Sequence, residues 1–286
     1  MSAVSSGRER AKYTLAGKGL ELLEAEFTRH VYERHMHDSY AIGFTLRGVQ
    51  RFWCHGATND STAGTVMLIG PGEVHDGQSG SAGGYAYCML YVSIDRVARV
   101  LADAGRSRDV SIAVRVPLIR DSVLLQKVSA AWRAASHAHG SLAAEELLDD
   151  ALLSLAARAG VRQGGVGRAG DVAALRRVRD FLHQHVNRAV SVGELAGLAS
   201  MSRFQLTRQF QHTFGLPLHA YHLHVRLEEA KRRLSCDEAV ASVAADLGFV
   251  DQSHLHRRFK GAFGITPGEW RRSIARRSKT AVVPHE

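Results

Sequence analysis

The sequence predicts a two-domain α+β chain, an antiparallel β-barrel or sandwich in front and an all-helical half behind, and three observations predict it. Between residues 40 and 93, short runs of aromatic and β-branched residues alternate with turn residues, the pattern of antiparallel strands. Beyond residue 173 the apolar residues recur at helical spacing and no strand pattern is present. Between the two stands Gly160-Val161-Arg162-Gln163-Gly164-Gly165-Val166-Gly167-Arg168-Ala169-Gly170, with five glycines in eleven positions, too flexible for an element interior. The expected division is therefore a first domain over 1–160, a linker over 161–172, a helical domain over 173–276 and a disordered tail over 277–286.

Composition narrows the class. The chain has 286 residues, 45% hydrophobic and 23% charged, enough apolar material to offset chain entropy. No run approaches the ~18 apolar residues a membrane span needs, and the polar opening Met1–Tyr13 lacks the apolar stretch of a secretory signal. The cysteines Cys54, Cys88 and Cys236 are widely spaced, which fits a reduced, cytoplasmic protein. Charge is uneven. Residues 1–170 carry 19 basic and 17 acidic side chains, a net of +2, whereas residues 171–286 carry 18 and 11, a net of +7. A basic second half points to a polyanionic partner.

In the first domain, strands are expected at Tyr40–Leu46, Thr65–Ile69 and Tyr85–Val92, each closed by a turn or by the end of its apolar run. From Ile94 to Ala159 the pattern turns helical. Leu124, Val128 and Trp132, then Leu147, Leu148, Leu152 and Leu155, form apolar faces that suit a core and also a dimer seam, so a homodimer is expected.

The helical domain contains an internal repeat. Leu198–Gly215 set beneath Leu247–Gly264, an offset of 49, gives six identities in eighteen positions, against roughly one by chance. Each copy reads as a helix-turn-helix. In the first, Ser191-Val192-Gly193-Glu194 is a capping box opening a short helix, the turn falls at Ser200-Met201, and Ser202 caps the second helix. In the second, a short helix runs from about Glu238 to Leu247, Gly248 takes the turn, and Asp251 caps the next helix. At 100° per residue, Leu206 and Phe210, like Leu255 and Phe259, face a core. The opposite stripes are Phe204, Thr207, Arg208, Gln211 and Ser253, His256, Arg257, Lys260. Arginine pairs bidentately with guanine, Thr, Ser and His hydrogen-bond base edges, and a phenyl ring can lie on a thymine methyl. An amphipathic helix from Pro217 to about Leu234, ~27 Å long, could hold the two copies about one turn of B-DNA apart. Backbone phosphate contacts are expected from the helix starts at Ser191, Ser202 and Asp251, and from Arg188, Lys260, Arg271 and Arg272.

The run Leu247–Lys260 with Phe263-Gly264-Ile265-Thr266-Pro267 and Trp270-Arg271, together with Leu195-Ala196, Ser202, Leu206, Arg208, Phe210 and Phe214-Gly215, resembles the signature of the AraC family of bacterial transcription regulators. The resemblance implies base-reading roles for Phe204, Thr207 and Arg208 in the first unit and for Gln252, Ser253, His256 and Arg257 in the second. The residues His35-Met36-His37-Asp38-Ser39-Tyr40, Gly48, Gly64 and Pro71-Gly72-Glu73-Val74-His75 resemble the cupin-like β-barrel that many members carry as an effector-binding domain with appended dimerisation helices. The resemblance implies a promoter-binding regulator, an activator, that engages RNA polymerase and answers to a small molecule held near His35, His37, Tyr40 and His75.

Two enzymatic readings bear on the first domain. His35, His37 and His75 suit a facial metal set, but metal-binding cupins place a carboxylate four or five residues past the second histidine, where Ala41 and Ile42 stand here. Ligand contacts, metal ligation and structural histidines all stay open; the expectation taken forward is an effector pocket with no metal and no cofactor. A metal-dependent cupin enzyme, or a metal sensor fused to a DNA-binding domain, is the alternative. Cys54 and Cys88 stand alone in strand-like stretches and read as core residues rather than alkyl-acceptor thiols. No nucleophile-elbow, P-loop or dinucleotide motif is present, so no catalytic residues are expected.

Overall fold

A computed structural model describes residues 9–107, 110–138, 140–163 and 169–278. Residues 1–8, the centre of the expected linker (164–168) and the expected tail from 279 onward lie outside the described residues. The chain forms two compact units, Met1–Gly164 and Gly165–Glu286.

The first unit begins with three strands that the sequence reading did not assign: β1 (Arg10–Leu15), β2 (Leu20–Phe27) and β3 (Tyr32–His35). They are followed by β4 (Ser39–Cys54), β5 (Ala57–Thr62), β6 (Val66–Ile69), β7 (His75–Ser79) and β8 (Tyr85–Ser93). The main path runs β1-β2-β8-β4-β6, and β7 bridges β3 and β4. The long β4 belongs to two layers. Its first part, Ser39–Gly48, pairs with β8 and β6, and its second, Val49–Cys54, pairs with β5 and β7. The change comes at a register shift between Thr45 and Arg47, followed by Gly48 at φ +72°. A Cβ at Gly48 would lie 2.0 Å from the Gly84 carbonyl oxygen, so only glycine fits the crossing.

Period-2 alternation then sorts the side chains. Tyr40, Ile42 and Phe44 of β4, Val66 and Leu68 of β6, and Cys88, Leu90 and Val92 of β8 face a core shared with helices. Ala41, Met67, Ile69, Tyr87, Met89 and Tyr91, of opposite parity, line the barrel interior. Both faces are covered, which explains why β4 and β8 read as nearly continuous apolar runs.

The covering helices are α1 (Ile94–Asp103), α2 (Ser122–Ala138) and α3 (Leu142–Ala159). Leu124 and Val128 of α2 and Leu148, Leu152 and Leu155 of α3 are buried against the sheet. The apolar stripes read as a dimer seam thus belong mainly to the unit's own core; Leu147 alone of the leucines named is exposed. Asp121 holds the pair together, its Oδ1 accepting the Leu124 N–H and its Oδ2 accepting from Arg158 Nε at 2.5 Å. The buried Arg96 of α1 pairs with Glu145 of α3. The stretch expected to be wholly helical also contains β9 (Val110–Ile112) and β10 (Leu118–Ile119). β10 extends the sheet beside β6, and β9 pairs with β11 (Val161–Gln163), so the start of the expected linker is a strand.

Among the described residues the second unit is helical, as expected, with seven helices: α4 (Ala169–Gln184), α5 (Val192–Ala199), α6 (Arg203–Phe214), α7 (Leu218–Ser235), α8 (Val240–Asp246), α9 (Gln252–Phe263) and α10 (Pro267–Ser278). Residues 277 and 278, expected in the tail, close α10. The two copies agree closely around their second helices. The rings of Phe210 and Phe214 lie 4.5 Å apart, centroid to centroid, as do those of Phe259 and Phe263. Tyr221 meets Phe210 edge-on at 5.2 Å, and Trp270 meets Phe259 at 6.5 Å. Each aromatic also ties the fold together by a hydrogen bond, Tyr221 Oη with His183 Nε2 at 3.1 Å and Trp270 Nε1 to the Lys231 carbonyl at 3.1 Å. Gly215 and Gly264 end α6 and α9 in the same left-handed conformation, φ +76° in both.

Before the turns the frame differs. Leu195, Ala196 and Ala199 of α5 are buried where Val243, Ala244 and Leu247 are, an offset of 48 rather than 49. The backbone N–H of Met201 reaches Ala196 O, and that of Phe249 reaches Ala244 O, both at 3.0 Å, again 48 apart. The identity of Leu198 with Leu247 is therefore a coincidence of the ungapped frame, and Ala199 is the structural counterpart of Leu247. The second turn is one residue longer, and Val250, 86% exposed, is the addition.

Candidate DNA interface and effector pocket

Two separate sites emerge, one in each unit. In the helical unit the predicted caps are present. Ser202 Oγ accepts the Gln205 N–H at 3.2 Å while Gln205 Oε1 accepts the Ser202 N–H at 3.1 Å, a complete capping box. Asp251 Oδ1 accepts the His254 N–H at 2.6 Å. Ser191 accepts the Glu194 N–H at 3.1 Å, but here the expected box is half-made. The Glu194 carboxylate turns instead to Arg188, at 2.5 Å, and that guanidinium holds it below the usual carboxylate range. Arg188, expected on a phosphate, is thus occupied by its own chain.

The predicted reading faces are outward. Phe204 is 75% exposed, and Thr207, Arg208, Gln211, Gln252, Ser253, His256, Arg257 and Lys260 are exposed too. Leu206, Phe210, Leu255 and Phe259 on the opposite sides are fully buried. Thr207 Oγ1 also donates to the Arg203 carbonyl at 2.9 Å, which fixes its methyl and leaves its lone pairs outward. Arg272 is exposed; Arg271 is half-buried, with Nε 3.6 Å from Asp237 and Nη1 3.4 Å from the Glu238 carbonyl. A hollow beside α6, lined by Leu175, Phe204, Arg208, Gln211 and His212, was missed, because it needs α4 and α6 together.

In the barrel, three predicted histidines converge and Tyr40 does not. His35 ends β3, His75 begins β7, and the two are direct cross-strand partners. His37 lies in the connection to β4 rather than on the same strand as His35. Ring centroids are 4.3 Å apart for His35–His75, 4.6 Å for His37–His75 and 5.4 Å for His35–His37, and all three rings are buried. His35 Nδ1 bonds to the Glu33 carbonyl at 2.7 Å and His75 Nδ1 to the Glu73 carbonyl at 3.0 Å. Tyr40 points the other way: it packs in the helix-facing core, and its hydroxyl accepts the Ile112 N–H at 3.2 Å. Its parity with Ile42 and Phe44 would have shown this from the sequence.

The remaining walls were not foreseen. Tyr32, Gln50, Phe52, Tyr87 and Tyr91 line the same interior; Asp76, which the sequence places close enough to His75 to serve as a ligand, lines it too. The Tyr32 and Tyr87 hydroxyls share a hydrogen bond of 3.0 Å, and burial raises both phenols well above their ordinary value. Alternation on β8 carries the signal for Tyr87 and Tyr91. Nearby, Cys54, His55 and Glu73 also approach one another. Burial, with Glu73 adding to it, pushes the Cys54 thiol up to about 12, and His55 Nε2 sits 3.0 Å from the Glu73 carboxylate. A thiol held protonated is a poor nucleophile, in keeping with a core cysteine.

Among the described residues no helix is long and apolar enough to cross a membrane. Residues 17–152 match the AraC-like ligand binding domain family, and residues 195–273 match a helix-turn-helix domain family. Among curated proteins, the HTH-type transcriptional regulator YbfI of Bacillus subtilis, itself uncharacterised, is 23% identical over 234 residues, covering 78% of this chain and 81% of YbfI. The transcriptional activator NphR of a Rhodococcus species is 35% identical over 104 residues, 36% of this chain and 31% of NphR. NphR and the HTH-type transcriptional regulator MtrA of Neisseria gonorrhoeae are each matched over less than a third of their own length. Solved structures of ToxT from Vibrio cholerae share the fold: the apo protein gives a TM-score of 0.64 at 14% identity, covering 91% of this chain and all of that one. A form bound to unsaturated fatty acid gives 0.58 at 13%, covering 95% and all of that chain. With a ligand-binding domain of this type followed by the helix-turn-helix domain, and with relatives named as transcriptional regulators rather than enzymes, the chain belongs to the AraC family of transcription regulators.

Proposed function

We propose that this chain binds promoter DNA through α6 and α9 and that a small molecule in the barrel of the first unit modulates that binding. The observation that carries the reading is the matched pair of outward faces on two helices, each with a side-chain cap at the corresponding position, the same buried aromatic anchors and the same glycine ends. A solvated helix surface needs no such duplication. Phe204, Thr207, Arg208, Gln252, Ser253, His256 and Arg257 are the base-reading residues, while Lys260, Arg271, Arg272 and the N-terminal N–H groups following Ser191, Ser202 and Asp251 take phosphates. Arg188 serves phosphate only if it leaves Glu194.

The effector acts from the space around His35, His37 and His75, walled by Tyr32, Tyr87 and Tyr91. It shifts DNA binding only as far as it binds the competent and incompetent states differently. The regulator works as a homodimer and as an activator that engages RNA polymerase; NphR, named as an activator, supports that direction. Fluorescence anisotropy with DNA from upstream of the protein's own and neighbouring genes, against random duplex across a salt series, tests the core of this reading. One fragment should be bound in the presence of competitor, and a footprint should span two adjacent major-groove segments. Absence of binding even at low salt would sink it.

A further inference from the structure

We propose that His35, His37 and His75 bind one divalent first-row transition-metal ion, zinc or iron(II) in class, His35 and His75 through Nε2. The inference rests on the reading of the barrel as the sensing half and gives that half an inorganic ligand. The sequence argues for an organic effector and against metal, because Ala41 and Ile42 stand where a carboxylate ligand would be. Three features of the structure reverse the balance.

The first is tautomer. A carbonyl oxygen can only accept, so Nδ1 of His35 and of His75 carries the proton in the bonds to Glu33 and Glu73. In each neutral ring Nε2 is then the lone-pair nitrogen. Fixing one ring nitrogen on a backbone carbonyl is how proteins orient a histidine for a metal. The second is convergence. The three buried residues offer ligand nitrogens that all lie within 4.8 Å of one another. A metal with bonds of ~2.0–2.1 Å holds such nitrogens roughly 3–3.4 Å apart, so binding draws the set together by up to about 1.5 Å. The third is room. The open space among these walls is about 20 Å³, enough for one water-sized body as they stand, whereas an organic effector has to part the walls first.

The missing carboxylate is no obstacle, since three imidazoles alone form a working zinc set with open positions. An all-nitrogen set favours zinc, iron, nickel or copper over magnesium, calcium or manganese. Asp76 lines the same space, but its Oδ1 accepts the Trp53 N–H at 2.7 Å and its Oδ2 lies 3.8 Å from Arg34. The ligands are therefore the histidines.

The test uses untagged full-length protein, stripped with a chelator, incubated with ZnCl2 and passed through a desalting column before elemental analysis. About one zinc per chain should be retained, and His75→Gln and His35→Gln should bring it to background. Zinc should raise the Tm of the unaltered protein and leave that of His75→Gln in place. Because a variant could fail to fold, the stripped unaltered protein is also titrated with CoCl2, whose visible absorption should show nitrogen ligation saturating near one equivalent. Retention of no zinc, no cobalt spectrum, or equal zinc in folded His75→Gln overturns the proposal. The same preparations are assayed on promoter DNA. Selective DNA binding without metal retention overturns the metal site and leaves the regulator standing. Metal retention without selective binding in either metal state keeps the site and overturns the promoter-binding reading.

Discussion

Arg257 stands on the outward face of α9, one turn beyond Ser253 and next to His256, with Phe259 buried behind it. Arg257→Ala should cost ~1–3 kcal/mol of binding and relax base preference at one position, read by anisotropy on a set of single-base operator variants. Arg272→Ala should instead weaken every sequence alike and flatten the salt dependence; a base-selective loss there would contradict its assignment to phosphate. His222 gives a pH prediction. Burial, with the Arg226 cation adding to it, holds its imidazole below the ordinary value, and its Nε2 donates to the His185 carbonyl at 3.0 Å. The folded ring therefore resists a proton that the unfolded chain accepts near ~6.5. Its contribution to stability is complete above that pH and is lost as pH falls below it. Melting curves recorded downward from about pH 7.5 should show this loss, and His222→Gln, which keeps a donor but cannot titrate, should flatten it. Single residues were also where the sequence was easiest to misread. Tyr40 sits three positions from His37 and was grouped with it, yet strand parity sends it to the opposite face.

Elements carry their information in pattern, and here legibility varied with how local the pattern is. Helices α6 and α9 were readable because a side-chain cap, a glycine end and a 3.6-residue period are all written within a few residues of each element. Strand β2, Leu-Glu-Leu-Leu-Glu-Ala-Glu-Phe, is built largely from helix-favouring residues and becomes a strand only by pairing with β8 along its whole length. Nothing local announces it. The capping box of α6 should contribute measurably: Ser202→Ala is expected to lower stability by ~1 kcal/mol in urea denaturation. The crossing of β4 from one layer to the other depends on Gly48, where an added methyl meets the Gly84 carbonyl and the backbone is left-handed. Gly48→Ala should therefore destabilise by more than ~1 kcal/mol, and an unaltered Tm would show that the crossing is more adaptable than its geometry says.

The charge of the whole chain is divided as its structure is: +2 over residues 1–170 and +7 over residues 171–286. Affinity for DNA should accordingly fall steeply and linearly on a log–log plot as salt rises, while occupancy of the buried barrel site should hardly move. The sequence showed the separation into two units, the repeat and the outward faces, because these rest on composition and spacing. It could not show that the barrel interior is nearly filled by its own rings, since that follows from β3, β4, β6, β7 and β8 closing on one another. It also hid the longer second turn, which an ungapped comparison cannot reveal. That turn has a further meaning. Two units with one ancestry but different turn lengths, and with Phe204-Thr207-Arg208 facing out in one and Ser253-His256-Arg257 in the other, are no longer interchangeable. A single chain therefore asks for a target with a left and a right, and reversing that target would present each helix with the other's bases. Such a protein would mark not only a place on the duplex but an orientation, and so which of two divergent genes it serves.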